Sequence, residues 1–478
     1  MLKITLLIIL SFYVSLIYSQ QGNYKFNNFG NRSILLSGNV TGSVEDLGLT
    51  YYNPSRLTEV ENLLLAFNAK AYQLSSLKLT NFIDDESKLE NTNFNGAATM
   101  AGGVFNLFGT RFAYSYLTKS RHEYNLNYSN NIIDSDITED FPNVSDHNVS
   151  LGIGSKVKDD WSGLTWAHEV NEKFSVGISI FGSIYNYQGS TSISHIVKST
   201  ENDIAFYENI VGFKQRSYGL FIKIGGNYHF PKFDLGININ VPYLEIYKDG
   251  SFNYKKVIAG VGNEYNQYLE SKYKNLRSKR KEPLGISLGA GIPINKSQLL
   301  LNLDFVNGLK QYSRLDVPDI DTGDDELTPV NFDETRSVVV NFGVGAEIFL
   351  SDKFKSYFGF STDFSANKSN PNLFDLSTDE TKNNNVGDNF YHFSTGVDWK
   401  LSWASVVFGV TYTRGSSEFL IPLKLELDDI NTSDPNTADL KYSRWQFVIG
   451  LEIPLLDEKV QNLFKKEKNK NEETSESN

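Results

Sequence analysis

The stretch "SYGLFIKIGGNYHFPKFDLGININV" (217–241) contains two runs of alternating apolar and polar residues joined by a short turn. In the first run Tyr218, Leu220, Ile222, Ile224, Tyr228 and Phe230 fall on one face. In the second run the residues on one face are Phe233, Leu235, Ile237, Ile239 and Val241. Because the side chains of a strand point to alternate faces, the pattern predicts two antiparallel strands, each with one apolar and one polar surface.

The same alternation recurs along the chain, for example in "FSVGISIFGSIYNY" (174–187) and "LGISLGAGI" (284–292). It predicts fourteen strands, at residues 62–72, 97–107, 110–119, 160–170, 173–187, 213–229, 233–241, 283–292, 298–306, 334–349, 354–364, 388–400, 403–413 and 441–453. Long connections are predicted at 73–96, 120–159, 188–212, 242–282, 307–333, 365–387 and 414–440. Short turns lie between them at "FG", "NE", "FPK", "PINKS", "SDKF" and "LS".

Connection length separates two architectures that share this alternation. A soluble β-sandwich shows the same strand pattern, but an even number of strands with tight turns on one side and long loops on the other is typical of an outer-membrane barrel. Closure of the sheet also removes the unpaired strand edges that lipid would penalise. We therefore predict an all-β fold, a 14-stranded antiparallel transmembrane β-barrel with both termini in the periplasm.

Composition excludes several classes of function. The chain has 478 residues, a net charge of -12 and no cysteine. An acidic chain lacks the basic face of a nucleic-acid-binding protein, and without cysteine there are no thiol nucleophiles and no Cys-based metal sites. The six histidines are scattered and show no metal-ligand spacing. We predict that the protein is not an enzyme and has no cofactor, no metal and no nucleic-acid partner.

The order of these signals divides the chain into four regions. Residues 1–19 contain Lys3, a short apolar core and Ser19, the pattern of a signal peptide. A single anchoring helix is less consistent with this stretch, because no basic cluster follows the core. Residues 20–60 precede the first strand and residues 61–453 form the barrel. Residues 454–478 are a charged tail, predicted to be disordered in the periplasm.

The region before the first strand contains a recognisable motif. The sequence "GNRSILLSGNVTGSVEDLGLTYYNPSRL" (30–57) resembles the N-terminal region of the FadL family, outer-membrane transporters of long-chain fatty acids and hydrocarbons. In that family a Gly/Ala-rich run and a short acidic segment precede the motif Tyr-Asn-Pro-Ala-Gly-Leu. Asn53 and Pro54 match the motif, whereas Ser55 stands where Ala is usual and Arg56 where Gly is common. Pro54 fixes its own φ and favours an extended Asn53, which suits a rigid turn.

The resemblance implies both a fold and a function. Barrels of this family have fourteen strands, and residues 20–60 would fold back into the lumen as a hatch with Asn53, Pro54, Ser55 and Arg56 at its gate. The expected location is the bacterial outer membrane. The expected function is uptake of hydrophobic small molecules, above all long-chain fatty acids. The arginine places a charge where the family has none, so the contacts of this hatch are expected to differ.

A second candidate region is the loop segment "NEYNQYLESKYKNLRSKRK" (263–281), which combines aromatic and basic residues. Its spacing predicts an amphipathic helix on the extracellular side, where an acyl chain and its carboxylate would find apolar and cationic contacts. The candidate ligand-binding residues are Tyr265, Tyr268, Leu269, Tyr273, Leu276 and Arg277. In the alternative interpretation, the cations of this helix contact lipopolysaccharide phosphates or water.

Two other functions are compatible with the sequence. The predicted lumen face is rich in Gly, Ser, Asn and charges such as Lys223, Glu347, Asp398 and Glu452, which would suit a porin for small polar solutes. A FadL-like barrel also shuttles cargo in type IX protein secretion, and a fold does not exclude that role. The expected partners are a hydrophobic small molecule, outer-membrane lipid and lipopolysaccharide. One chain supplies every predicted strand, so a monomer is expected.

Overall fold

The chain forms an antiparallel β-barrel in this computed structural model. The structure describes residues 22–81, 88–131, 143–260, 266–323, 326–367, 389–421 and 436–454, together with residues 373, 376 and 382. The predicted signal peptide, and all but the first residue of the predicted tail, lie outside these ranges. In the described part of the chain, no helix is long and apolar enough to cross a membrane.

Strands follow three short helical turns. The turns are Ser33–Leu36 and Pro54–Glu59, both 3-10 helices, and the α-helical turn Leu49–Tyr52. The strands are β1 (Leu63–Thr80), β2 (Lys88–Leu107), β3 (Thr110–Asn131), β4 (Val144–Asn171), β5 (Phe174–Ser199), β6 (Ile204–Phe230), β7 (Phe233–Asn240), β8 (Leu244–Ala259), β9 (Gln267–Leu276), β10 (Gly285–Ile294), β11 (Ser297–Val306), β12 (Leu309–Ser313), β13 (Asp333–Arg336), β14 (Val339–Ser351), β15 (Phe354–Asp363), β16 (Phe390–Lys400), β17 (Ser405–Ile421) and β18 (Asn436–Pro454).

A closed ring forms the wall of the barrel. The main sheet has sixteen strands, and β8 and β9 lie outside its ring, which leaves fourteen. The ring is complete because β1 pairs with β18 and β5 pairs with β6. Each of the fourteen strands predicted from the sequence overlaps one strand of this ring, so the predicted fold class and strand number are confirmed. Closure gives every ring strand a hydrogen-bonded neighbour on both sides, as a membrane interior requires.

Two further strands extend the wall on one side. β8 follows β7 after a break at residues 241–243 and continues along β6, and β9 returns along β8. The helix predicted at 263–281 is therefore wrong. In β9, Leu269 and Tyr273 pack against an apolar cluster, and Lys272 and Lys274 are exposed. A spacing of four residues occurs in helices and in strands alike, and the exposed edge of β8 decides between them by supplying hydrogen bonds.

Several predicted long loops are strand as well. Residues 120–131, 144–159, 188–199 and 204–212 continue β3, β4, β5 and β6 beyond their predicted ends. As a result the wall is uneven: β4 has 28 residues, whereas β10 and β11 have 10 each. At about 3.3 Å per residue, the wall rises much higher on the β3–β6 side than on the β10–β11 side.

The apolar face changes side along the long strands. On β5, Ile180 and Ile184 are exposed on the outside of the barrel, next to the short turns. Farther along the same strand, Tyr187, Ile193 and Val197 are buried on the inside. The first part of the strand therefore presents its apolar face to lipid. The second part presents its polar face to water and packs its apolar side chains inward.

The interior of this extension beyond the lipid-facing band is consequently apolar. One cluster of buried residues spans the high wall: Leu77, Leu79, Tyr124, Leu126, Leu151, Ile153, Ile193, Tyr207, Ile258, Ala438 and Leu440. A second cluster joins the high wall to the segments between β11 and β14, and its aromatic members are Tyr185, Tyr187, Phe213, Phe252, Tyr254 and Phe332. The space above the membrane-spanning part of the lumen is thus lined by apolar side chains.

The change of face predicts different costs for one substitution at two outward positions of β5. Ile180→Arg places a cation in the lipid-facing band, and we expect the free energy of unfolding to fall by about 2–4 kcal/mol. Gln188→Arg lies on the same face beyond the change, where water solvates the charge, so we expect a change below about 0.5 kcal/mol. Urea-induced unfolding in lipid vesicles measures both values. Equal losses in the two variants would contradict this assignment of the membrane boundary.

Candidate functional site

The N-terminal residues lie inside the barrel. We call residues 22–60 the lumenal segment. Its first 3-10 helix packs against β14–β17 and its second packs against β3–β6, which are on opposite sides of the ring. A segment that contacts opposite walls occupies the lumen between them. This position agrees with the predicted plug, and its movement as a hatch stays a prediction.

A buried carboxylate organises the lumenal segment. Asp46 accepts hydrogen bonds from the backbone N–H groups of Arg32 (2.7 Å), Ser33 (2.8 Å) and Gly48 (2.9 Å). It also accepts one from the hydroxyl of Ser33 at 2.8 Å, and its side chain is fully buried. These charge-assisted bonds tie the start of the Gly-rich run to its end. The acidic residue of the sequence motif therefore shapes the segment, which the sequence analysis did not anticipate.

The Asn-Pro turn joins the lumenal segment to the wall. Asn53 is extended, and its Oδ1 accepts hydrogen bonds from the backbone N–H (3.2 Å) and the hydroxyl (2.8 Å) of Ser55. Its Nδ2 donates to the carbonyl oxygens of Thr41 (2.7 Å) and of Gly226 on β6 (3.3 Å). Pro54 begins the second 3-10 helix, a position that proline favours. The side chain of Asn53 thus fixes the turn and holds it against the wall.

Arg56 is buried among acceptors from its own helix and from the wall. Its guanidinium donates to Glu59 (2.5 Å), to Asn227 on β6 (3.0 Å) and to Asp234 on β7 (3.5 Å). Burial raises the pKa of the Glu59 carboxyl, and the charge of Arg56 opposes that rise. The charge that distinguishes this chain from the FadL motif is therefore balanced by Glu59 of its own helix and by Asp234 of the β6–β7 hairpin. Four predicted gate residues, 53–56, lie together at this contact, and their gating role stays a prediction.

Glycines of the wall receive the lumenal segment. A Cβ at Gly177 would lie 2.5 Å from the carbonyl carbon of Pro54, and a Cβ at Gly236 would overlap the carbonyl oxygen of Thr41. On the opposite wall, the Ser33–Leu36 turn packs against a row of glycines: Gly345, Gly359, Gly396 and Gly409. Without side chains, these strands allow a very close approach of the segment. The Gly-rich lumen face seen in the sequence is thus a docking surface for the chain's own N-terminus.

An ion-pair network anchors the segment on the side opposite to Arg56. Arg32 lies 2.7 Å from a carboxylate oxygen of Asp398 on β16 and 2.9 Å from one of Glu452 on β18. Both carboxylates are buried, and an unpaired buried charge would be strongly destabilising. Two charges that the sequence suggested for a polar pore therefore hold the lumenal segment in place.

A cavity of about 220 Å³ lies between the lumenal segment and the wall. Its aromatic lining comes from the segment and from several strands: Tyr24, Phe26, Tyr51, Tyr52, Tyr124, Trp161, Phe221 and Tyr442. Trp161 and Phe221 stack with their ring centroids 4.0 Å apart. The charged residues at the cavity are Lys25, Lys119, Asp159, Lys223, Arg280, Glu282 and Asp304.

Some of the cations at the cavity have acidic partners and two do not. Lys25 lies 2.7 Å from Asp304, and Arg280 lies 2.8 Å from Asp159. Lys119 and Lys223 form no ion pair within the described ranges of the chain.

The hydrogen-bond acceptors of Lys119 and Lys223 are neutral groups in the described structure. Lys223 is buried and its Nζ donates to Asn240 Oδ1 at 2.6 Å. Lys119 Nζ donates to the carbonyl oxygen of Tyr24 at 3.3 Å. Both ammonium groups also lie over the ring of Tyr51, at 3.8 Å for Lys223 and 5.2 Å for Lys119. The cavity therefore combines an aromatic lining with two lysine side chains that would donate hydrogen bonds to a bound anion.

A strap covers the cavity on the side away from the short turns. We define the strap as residues 277–284 and 309–316 with strand β13. Its charged residues form a series of ion pairs that ends at Asp159 on β4 of the wall. In order, the residues are Asp159, Arg280, Glu282, Arg336, Glu334 and Arg314. Arg336 also donates a hydrogen bond to the hydroxyl of Tyr24 at 3.2 Å, and burial raises the pKa of this tyrosine to about 12. The strap thus contacts the lumenal segment directly above the cavity.

The cavity reaches a discontinuity in the wall. β10 pairs with β7 as far as Gly285 and Asn240, and farther from the short turns the wall is continued by β8 and β9 instead. Residues next to this point also line the cavity: Ile222, Val241, Pro283, Phe305 and Val306. Phe305 is 37% exposed, on the outward face of β11. The cavity therefore extends from the interior towards the outer surface of the wall.

The ligand-binding residues predicted in segment 263–281 lie away from this cavity. Tyr265 is outside the described residues, and Tyr268 and Arg277 are exposed. Leu269, Tyr273 and Leu276 pack against the second apolar cluster, which joins the high wall to the segments between β11 and β14. None of the five described residues lines the cavity. Their role in ligand binding stays a prediction.

The sequence analysis missed most of the residues that do line the cavity. It identified Lys223 only as a polar feature of the lumen, and it did not single out Lys119 or Tyr51. One signal was present: Lys119 and Lys223 each interrupt an otherwise uncharged run of strand residues, "AYSYLTKS" (113–120) and "GLFIKIGG" (219–226).

The fold matches those of known transport proteins. The Pseudomonas aeruginosa FadL homologue is similar with a TM-score of 0.56 and 11% identity, over 91% of this chain and 99% of that chain. The P. putida toluene transporter TodX gives 0.55 and 10%, over 90% and 99% of the two chains. The CymD monoaromatic hydrocarbon channel gives 0.50 and 13%, over 90% and 98%. No protein-family model and no curated protein sequence matches the chain. The likeness confirms the predicted fold, that of FadL-type outer-membrane barrels.

Two glycines of β5 provide a test of the docking surface. Gly177→Ala places a methyl group against the backbone of Pro54, and we expect this overpacking to weaken docking of the lumenal segment by about 1–3 kcal/mol. Gly182→Ala is the control, because its Cβ would meet only Ser162 O at 3.8 Å. In planar bilayers we expect ion-conducting openings with Gly177→Ala and a quiet trace with Gly182→Ala. A quiet Gly177→Ala channel with wild-type thermal stability would contradict the docking.

Proposed function

We propose that this protein is an outer-membrane channel for the uptake of hydrophobic small molecules, with long-chain fatty acids as its ligand class and the lumenal segment as its gate. The closed barrel, its lipid-facing exterior and its fold support the location and the coarse activity. Of the three similar structures, one is named a FadL homologue, one a toluene transporter and one a monoaromatic hydrocarbon channel. No chemical step is required, since binding and diffusion suffice for such a channel.

The observation that carries the fatty-acid proposal is the cavity above the lumenal segment. Its aromatic walls would remove an acyl chain from water, which is worth about 0.8 kcal/mol per buried CH₂. Lys119 and Lys223 would pair with the carboxylate, and charge-assisted bonds of this type are strong when desolvated. A neutral hydrocarbon would use the aromatic walls and leave both ammonium groups without a counter-charge.

The apolar interior of the extracellular extension suggests how a ligand approaches. Acyl chains would partition into this apolar interior above the membrane, pass the strap and enter the cavity. From the cavity the ligand would leave past Asn53 and Pro54 into the periplasm, or sideways through the discontinuity between β7 and β10. The second route is supported by Phe305, which lines the cavity and also faces outward.

A porin for polar solutes is the less consistent alternative. The polar groups of the lumen face engage the lumenal segment through Asn53, Arg56 and Arg32, so they are not free to line a wide aqueous path. A role as a secretion shuttle has no specific observation in its favour, and co-purification with secretion components would be its sign.

Removal of the two ammonium groups tests the ligand class. In Lys119→Met/Lys223→Met we expect oleate to bind at least about tenfold more weakly than in the wild type, because its carboxylate loses both charged partners. Native mass spectrometry of detergent-purified protein with added oleate measures the bound fraction. Lys214→Met is the matched control, because Lys214 is exposed on β6 and does not line the cavity.

The same experiment separates the alternatives. Unchanged oleate binding in the double variant would contradict a carboxylate site between the two lysines. Binding of toluene instead of oleate would assign the cavity to neutral aromatic hydrocarbons. A wild-type protein that retains neither molecule and conducts ions steadily would be a porin.

A further inference from the structure

The ring of Tyr51 occupies a position between the cavity and the gate. It lies in the α-helical turn Leu49–Tyr52, which leads directly into Asn53. The ring lines the cavity and packs edge-on against Phe29 and Tyr52, with centroids 4.8 and 5.1 Å apart. Tyr51 is therefore covalently connected to the turn that holds the lumenal segment against β6.

Tyr51 is also the group that the two unpaired ammonium groups share. Lys223 Nζ lies 3.8 Å from its ring centroid and Lys119 Nζ lies 5.2 Å from it. In a dry site, the negative face of an aromatic ring attracts a cation and partly replaces a counter-ion. The face of the Tyr51 ring is thus a contact that the two ammonium groups share.

A carboxylate would compete with this ring. A full negative charge attracts an ammonium group more strongly than a ring quadrupole does, and the difference is large where water is excluded. A carboxylate bound between Lys119 and Lys223 would draw both side chains away from Tyr51. The ring would lose the two cations that hold it, and the helical turn before Asn53 would be free to shift.

We propose that Tyr51 is the positioning residue through which an anionic ligand releases the lumenal segment: it competes with the ligand carboxylate for Lys119 and Lys223 and passes the outcome to Asn53. This inference rests on the proposed function. It adds that a ligand without a negative charge occupies the cavity without opening the gate. It also means that ligand affinity and gate position are linked, because the ring that holds the gate opposes ligand binding.

The absence of cysteine allows a direct test. Glu45 is exposed on the lumenal segment, so Glu45→Cys carries a single environment-sensitive fluorophore without competing labels. Oleate and oleyl alcohol serve as the anionic and the neutral probe with the same chain. We expect oleate to shift the emission and oleyl alcohol to bind without shifting it.

Two substitutions of Tyr51 then separate coupling from binding. Tyr51→Phe keeps the ring and is expected to keep the oleate-dependent shift. Tyr51→Leu removes the ring, so we expect the fluorophore at position 45 to show the shifted emission already without ligand. We also expect oleate to bind to this variant at least about threefold more tightly. Heat-modified mobility on gels reports whether each barrel is folded. Native mass spectrometry reports oleate binding independently of the label.

The outcomes distinguish this inference from the proposed function. Tyr51 is not the coupling residue if wild type binds oleate but Tyr51→Leu behaves like wild type. In that case the emission of Tyr51→Leu would be unshifted without ligand and would shift fully with oleate. The same conclusion follows if oleyl alcohol shifts the wild-type emission as oleate does. If the folded wild type binds no oleate at all, the proposed ligand class fails as well.

Discussion

In a lipid environment, every backbone N–H and C=O group of the chain must find its partner within the protein, and the rest of this structure depends on that constraint. A closed sheet satisfies it, and here closure is completed by the pairing of β1 with β18. A fourteen-stranded ring encloses more space than the side chains of its own strands fill. The lumen therefore has room for further polypeptide, and the N-terminal segment of the chain lies in it.

Filling the lumen with polypeptide creates two physical problems, and each has a visible solution. The backbone of the segment must approach the wall closely, which glycines such as Gly177 and Gly236 permit. Charges carried into the interior must be neutralised, which the pairs of Arg32 and Arg56 with wall carboxylates achieve. Among the cations that line the cavity, Lys119 and Lys223 are the exception, because they form no ion pair within the described residues, whereas Lys25 and Arg280 do. The functional proposal rests on that exception.

Much of the fold was predictable because its signal is local. Alternation with a period of two located all fourteen ring strands, and the short turns located one end of the barrel. The same rule fails on β5, where the apolar face points outward at Ile184 and inward at Tyr187. Residues 188–212 do not continue the outward apolar pattern, so the sequence predicts a loop there. The helix predicted at 263–281 failed because a four-residue spacing fits both periods. On β5 the change from lipid to water outside the barrel decided the structure. In segment 263–281 the exposed edge of β8 decided it.

By itself, the sequence determined the class of fold, the number of ring strands, the side of the barrel with short turns and the presence of an Asn-Pro turn before the first strand. These properties follow from spacing within short stretches, because period and turn chemistry act between near neighbours. Only the tertiary structure decided which glycines receive the lumenal segment, which charges are neutralised and which cations are left at the cavity. Those contacts join residues far apart in sequence, 366 positions for Arg32 and Asp398, and barrel closure is what brings them together.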